Sequence, residues 1–473
     1  MKKRFTAGLL GVVLAFSAAV SVWAAPAPAV SAEATILAEV GQDGWRVLDE
    51  KNSRERMYPA SITKILTALV ALEYLDPDEI VVVGPEINDI SLDSSKAGHI
   101  RGESISVLNL MRGLLITSGN DTANVVAVAA ARKANGETGA TTDQLEQQFV
   151  DLMNAKAAEL GCTDTHFVNA HGYHDPNHYT TAYDLALIVR EALQVELIRE
   201  IARETNFSGN GLSGINMDTT GLTVQDYEWK SHNSLIMPGS VGYYEYANGM
   251  KTGYTDEAGS CVAATAQKDG VDLIAIVLKD GDTARWADAA ALFEYGFNEY
   301  GNQTVQTKGQ VLGTAALTGH DRNQGDTLEL VAAGDATLYL NEEEVDRLET
   351  SFALDNALVE TLEDGTEALK APLAEGQQVG TISYALDGAV WLTVPVCAAR
   401  AVEKQTPWTS LKYFLTHTLF TGKVGLIVLI VVAVVVVLIL VLRVLPGRRR
   451  GRRFSYSSRP RGRKLRFGKR RRW

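Results

Sequence analysis

The sequence predicts a mixed α and β (α+β) domain followed by a small all-β domain and one C-terminal transmembrane helix. Three observations carry this. Strand-like runs at both ends of residues 33–301 enclose a stretch of helical periodicity, short β-prone runs punctuated by turns fill residues 302–403, and residues 424–442 are long and apolar enough to cross a bilayer.

The elements follow in chain order. Met1 to Ala32 has a basic start, an apolar stretch from Leu9 to Val22 and small-residue sites at Val22-Trp23-Ala24 and Val30-Ser31-Ala32, the pattern of a cleavable export signal. Ile36 to Val40 and Trp45 to Leu48 read as paired strands, and Ile62 to Tyr74 as a helix. Asn109 to Ile116 and Ala123 to Ala131 read as helices broken at Ser118-Gly119-Asn120. Cys261 to Ala266 and Val271 to Leu278 are β-prone runs joined through Asp269-Gly270, and Ala284 to Tyr300 is helical in pattern. In residues 302–403 the β-prone runs are Thr327 to Val331, Ala336 to Leu340, Gln378 to Tyr384 and Val390 to Val396. Residues 404–423 form a linker in which Trp408, Leu411, Leu415 and Leu419 recur at helical spacing, suiting a helix that lies on a membrane face. Val424 to Leu442 is nineteen uncharged residues, about 28 Å as a helix. Residues 443–473 are a basic tail.

Charge supports the same partition. The 473 residues carry a net −12, yet the tail holds thirteen Arg and two Lys without an acid, and Lys2, Lys3 and Arg4 add three more; Glu33 to Leu442 therefore stands at −30. The positive-inside rule puts the tail in the cytoplasm and everything before the span outside, in agreement with the export signal. The tail's position makes it a stop-transfer segment meeting anionic membrane lipids, and no nucleic-acid partner is expected. A composition of 46% apolar and 22% charged residues excludes a globally disordered, collagen-like or disulfide-rich chain.

Chemistry concentrates in three short segments. In Pro59-Ala60-Ser61-Ile62-Thr63-Lys64 a Ser and a Lys three apart share one helical face, so the amine can take the hydroxyl's proton. Ser118-Gly119-Asn120 offers a hydroxyl and an amide at a helix break, and Lys251-Thr252-Gly253 sets a cation, a hydroxyl and an unhindered backbone along one strand. Each alone is weak, since any helix or turn can contain such residues. Together, S-x-x-K, S-x-N and K-T-G are the mark of penicillin-recognising acyl-serine enzymes.

On these motifs, with Phe167-Val168-Asn169, Gly172, His178, Thr181-Ala182, Asp184 and Ala258-Gly259, the chain resembles the low-molecular-mass penicillin-binding proteins, specifically the serine-type D-alanyl-D-alanine carboxypeptidases. The resemblance runs from about Ile36 to Glu403 and implies a β-lactamase/DD-peptidase-like catalytic domain. It implies an exported enzyme that removes the terminal D-alanine from peptidoglycan stem peptides and is acylated by β-lactam antibiotics, without cofactor or metal. Carried over, Ser61 is the nucleophile, Lys64 its base and Ser118 a proton relay. Asn120, Lys251, Thr252 and Thr255 bind substrate, and the backbone N–H groups of Ser61 and Tyr254 form the oxyanion hole. Where some members carry an Arg upstream of the Lys-Thr-Gly strand, this chain has Lys230-Ser231-His232-Asn233.

Other readings are weaker. His166, His171, His174 and His178 with Asp164 and Asp175 resemble a metal cluster, but Pro176 and the surrounding Gly, Asn and Asp residues indicate a loop. Cys162, Cys261 and Cys397 are an odd set, of which at most two can pair internally; Cys261 and Cys397 sit in β-prone runs and read most simply as small core residues, Cys162 is a candidate free thiol, and the sequence alone selects no disulfide. A β-lactamase would share the fold, but no Glu-x-x-Leu-Asn pattern stands between Asn120 and Lys251 to speed deacylation; a DD-endopeptidase of the same fold stands as the alternative that sequence alone separates poorly. A non-catalytic wall-binding or sensory module would dispense with nucleophile and base, and both are present.

Overall fold

The computed structural model describes residues 27–41, 44–136, 139–216, 220–419 and 422–444. Most of the export signal and nearly all of the basic tail lie outside these residues. The chain packs as two compact units. One takes the residues up to Gln310 together with Ala332–Ala353 and Gly380–Val396; the other takes Val311–Val331, Leu354–Val379 and the described residues from Cys397 onward. Residues 302–403 are thus shared between the two.

The first unit is built on a five-stranded antiparallel sheet. Its order is Gly44–Lys51, Ala34–Gly41, Val271–Asp280, Gly259–Lys268 and Ala247–Thr255, which leaves the last strand at an edge. Alternation along each strand sends side chains to two cores. Ile36, Ala263, Ile274 and Ile276 pack on one face, while Leu37, Val262, Ala264, Leu273 and Val277 pack on the other. The second face is covered by the helix Ala284–Glu299 through Trp286, Ala289, Leu292 and Phe293. The first face carries a helical layer that includes Lys64–Leu72, Val107–Leu115, Asn120–Asn135, Thr142–Glu159 and Ala182–Ala192. With both faces covered, the inner strands read as nearly continuous apolar runs, and each fully buried Ile or Leu contributes about 1.5–3 kcal/mol.

The expected helix over residues 62–74 is present, but it opens with a tighter 3-10 turn at Ala60–Thr63. The helix Thr142–Glu159 was not anticipated from sequence. Its start is fixed by a reciprocal capping box between Thr141 and Gln144, and Leu145, Phe149 and Met153, four residues apart, bury one stripe. Also in this unit, Gly301–Gln306 pairs antiparallel with Ala336–Leu340, and Arg46 reaches from the first hairpin to Glu344 at 2.8 Å.

In the second unit Val311–Thr318 runs parallel to Glu367–Lys370, which in turn pairs antiparallel with Val359–Thr361. A short helix, Pro407–Tyr413, begins with a Thr406 capping box and is held by the Asn323 amide donating to the Thr409 carbonyl at 3.2 Å. Trp408 and Leu411 are exposed on it, and Phe414 just after it. The helix Gly422–Val444 follows, and its Gly425–Arg443 stretch has a mean hydropathy of 3.8.

Candidate active site

The edge strand Ala247–Thr255 lies against the 3-10 turn that carries Ser61. A Cβ on Gly253 would stand 2.8 Å from the Pro59 carbonyl oxygen, 3.1 Å from the Ala60 Cβ and 3.2 Å from the Ser61 nitrogen. Only a glycine permits that approach. The helix that begins at Lys64 then aims the lysine side chain back over its own first turn, as helical side chains point toward the N-terminus.

Lys64 is fully buried, and its Nζ has three neighbours: Ser61 Oγ at 2.9 Å, Asn120 Oδ1 at 2.7 Å and the His171 carbonyl oxygen at 2.7 Å. Burial first, and the Lys251 cation second, hold its amine well below the usual lysine range, against a smaller opposing pull from Asp121. Lys251 is only 2% exposed, and burial together with Arg285 brings it down to about 7.

The Ser118-Gly119-Asn120 segment enters this site through the left-handed backbone of Ser118, φ 62°. Asn120 opens its helix with its N–H donating to the Ser95 carbonyl at 2.8 Å. The Asp121 carboxylate behind it accepts from the backbone N–H groups of Ala97, Gly98 and His99 at 2.8, 2.9 and 3.2 Å, strapping the 95–99 segment to the helix start. Ser118 is buried here but is not among the hydrogen-bond partners of Lys64 Nζ.

Thr252 is buried, Tyr254 is exposed with its hydroxyl donating to Asp256 at 3.0 Å, and Thr255 Oγ1 accepts from the Ala258 N–H at 3.0 Å. The structure therefore brings Ser61, Lys64 and Asn120 into direct contact. Lys251, Thr252, Tyr254 and Thr255 line the adjoining strand.

Three neighbours of the site carried no signal in the sequence. The His171 carbonyl is a backbone group that no side-chain motif announces. Thr63 lies inside the Ser-Ile-Thr-Lys motif but is silent in its spacing. Arg285, from the opposite face of the sheet, donates to the Gly253 and Cys261 carbonyls at 3.2 and 3.4 Å and to Asp282 at 3.1 Å. A guanidinium does stand near Lys251, although not in the stretch 230–233 where the pattern looked for one.

The loop histidines have separate partners. His166 Nδ1 bonds the Asn177 carbonyl at 2.7 Å, His174 meets Glu257 at 3.9 Å, and His178 Nε2 lies 2.9 Å from Thr63 Oγ1. Among the described residues, no three His, Cys, Asp or Glu side chains converge as a metal site would need. Cys162 and Cys261 are buried thiols raised mainly by burial, to about 12 and about 11; Cys397 is partly buried, and all three are free.

Residues 21–282 match the family model described as D-alanyl-D-alanine carboxypeptidase, and residues 300–404 match that of the penicillin-binding protein 5 C-terminal domain. The D-alanyl-D-alanine carboxypeptidase DacF of Bacillus subtilis is 29% identical over 386 residues, covering 80% of this chain and 88% of the relative. DacB2 of Mycobacterium tuberculosis is 32% identical over 282 residues, covering 58% of this chain and 84% of its own. Among solved structures, penicillin binding protein 5 from Haemophilus influenzae superposes with a TM-score of 0.57 at 24% identity, covering 80% of this chain and all of that one. A Streptomyces K15 DD-transpeptidase mutant gives 0.50 at 28% identity, covering 57% and 99%.

Proposed function

We propose that this chain, which belongs to the D-alanyl-D-alanine carboxypeptidase family, runs its reaction through Ser61 as nucleophile and Lys64 as base. It is a serine-type D-Ala-D-Ala carboxypeptidase, a hydrolase of the penicillin-binding class. The observation that carries the assignment is the set of neighbours around Lys64. Asn120 Oδ1 and the His171 carbonyl can only accept hydrogen bonds, so they take the two N–H groups of a neutral amine. The lone pair is left facing the Ser61 hydroxyl at 2.9 Å.

In acylation, Ser61 Oγ attacks the carbonyl carbon of the penultimate D-alanine while its proton passes to Lys64. The developing oxyanion accepts from the Ser61 and Tyr254 backbone N–H groups; one such donor is worth about 3 kcal/mol in the transition state. Collapse breaks the peptide bond, and the departing amine receives the proton from Lys64 through Ser118. Water then attacks the Ser61 ester, Lys64 takes its proton and hands it to Ser61 Oγ as the ester bond breaks, which releases the shortened peptide and restores the free hydroxyl and neutral amine. Lys251, Thr252 and Thr255 bind the terminal carboxylate, and Asn120, with Oδ1 held by Lys64, turns its NH2 toward the substrate amide. A β-lactam undergoes the same attack, but its leaving amine stays tethered in the adduct.

The substrate is the peptidoglycan stem peptide. We place residues 33–301 as the catalytic domain and 302–403 as its β-rich companion, both outside the membrane, with a lipid-facing helix before the span and the tail in the cytoplasm. The apolar helix Gly422–Val444 fits membrane anchoring. The test is labelling by a fluorescent penicillin together with D-alanine release from diacetyl-L-Lys-D-Ala-D-Ala. Both are expected from the wild-type protein and neither from Ser61→Ala; labelling of Ser61→Ala would overturn the assignment.

A further inference from the structure

Ala60, the residue before the nucleophile, has φ 47°, a left-handed conformation that is unfavourable for a non-glycine residue and persists only where surroundings enforce it. What enforces it is a buried chain of hydrogen bonds. Thr63 Oγ1 donates to the Ala60 carbonyl oxygen at 2.8 Å, which uses the hydroxyl's single proton. At its other contact, 2.9 Å from His178 Nε2, the hydroxyl can therefore only accept, so His178 carries its proton on Nε2. The remaining ring nitrogen must then accept, and it does, from the Val168 N–H at 3.3 Å. One neutral tautomer satisfies every partner. Burial above all holds this imidazole down to about 3, so it stays neutral across the physiological range. Gly172 closes the far side: a Cβ there would stand 1.9 Å from the Ala60 oxygen.

The Ala60 carbonyl and the Ser61 N–H belong to one planar trans peptide and point in opposite directions, so fixing the oxygen aims the N–H. A bond accepted by that oxygen also polarises the peptide and strengthens the N–H as a donor. We propose that His178 and Thr63 are positioning residues of the oxyanion hole, a directed relay that aims and strengthens the Ser61 N–H through the Ala60 carbonyl. This rests on the reading of Ser61 as nucleophile and oxyanion donor.

The experiment compares Thr63→Val, Thr63→Ser, His178→Phe and His178→Gln with wild type in the full-length protein, with thermal unfolding as the check on folding. The readouts are the rate of acylation by a fluorescent penicillin and the infrared stretch of the acyl-enzyme ester carbonyl, which rises in wavenumber when its hydrogen bonds weaken. Thr63→Val and His178→Phe should acylate at least about tenfold more slowly, short of the roughly 10²–10³ that follows loss of a whole oxyanion donor, and their carbonyl stretch should rise. Thr63→Ser, which keeps the hydroxyl, and His178→Gln, which keeps an N–H donor, should restore most of the rate and the wild-type stretch. A folded Thr63→Val or His178→Phe with wild-type rate and stretch overturns the relay. Should both misfold, His178→Gln decides alone, and slow acylation with a raised stretch in it overturns the relay equally. Labelling of Ser61→Ala would instead sink the underlying assignment.

Discussion

As the proposed base, Lys64 must be neutral to act, and the groups around it bear on that requirement. Burial and the Lys251 charge favour the free amine, so acylation should rise with pH through a value well below that of ordinary lysine. The sign follows directly. A protonated Lys64 has no lone pair for the Ser61 proton, and removing a neighbouring positive charge makes protonation easier. Lys251→Gln should therefore move the acidic limb of the penicillin acylation profile to higher pH, and a limb that stays in place would show that Lys251 does not tune the base. Lys251 itself, at about 7 in the free enzyme, should add an alkaline limb near that pH to kcat/KM for the peptide, because loss of its charge weakens carboxylate binding. That Ser61, Lys64 and Asn120 come together was legible in the sequence because the motifs specify both the residue types and their spacing. The His171 carbonyl, Thr63 and Arg285 were not, because a backbone acceptor, a relay hydroxyl and a cation from the far face of a sheet leave no periodic mark.

Elements set the distances that this chemistry uses. The edge strand Ala247–Thr255 and the 3-10 turn Ala60–Thr63 meet at Gly253, where the nearest atom to an added Cβ is the Pro59 carbonyl oxygen, which cannot swing aside as a side chain could. Gly253→Ala should push strand and turn apart, costing about 1–3 kcal/mol of stability and slowing penicillin acylation at least about tenfold, since displacements near 1 Å cost up to 10²-fold. Acylation at the wild-type rate in a folded Gly253→Ala protein would show that the close approach is not needed. Four strands of the central sheet were readable from their apolar runs and the turn at Asp269-Gly270, whose flanking strands end at Lys268 and begin again at Val271, whereas the edge strand Ala247–Thr255 has no apolar run and showed itself only through Lys251-Thr252-Gly253. The helix Thr142–Glu159 went unread because its buried stripe is narrow and most of its surface is polar, although Thr141 and Gln144 already spelled its capping box.

At the scale of the whole molecule, charge and hydropathy divide the labour. A stretch at −30 and a tail at +15 cannot be exchanged across a bilayer without moving many charges through hydrocarbon, each costing several kcal/mol at its centre. Between them, Gly425–Arg443 is the one span of sufficient length and hydropathy among the described residues. The helix Pro407–Tyr413 precedes it with Trp408 and Leu411 exposed, as is Phe414 just after it, apolar surface that an interfacial position would cover. In the proposed topology Ser61 lies outside the membrane and the tail inside. In intact cells made permeable to protease only at the wall, external digestion should therefore release penicillin-labelled soluble fragments while an epitope fused after Trp473 survives attached to the membrane. Destruction of that epitope from outside, with labelled protein left protected, would reverse the topology. The same experiment with Trp408, Leu411 and Phe414 replaced by Ser should leave the topology intact, because the span and the tail's charges set it, while making the region before the span easier to cut.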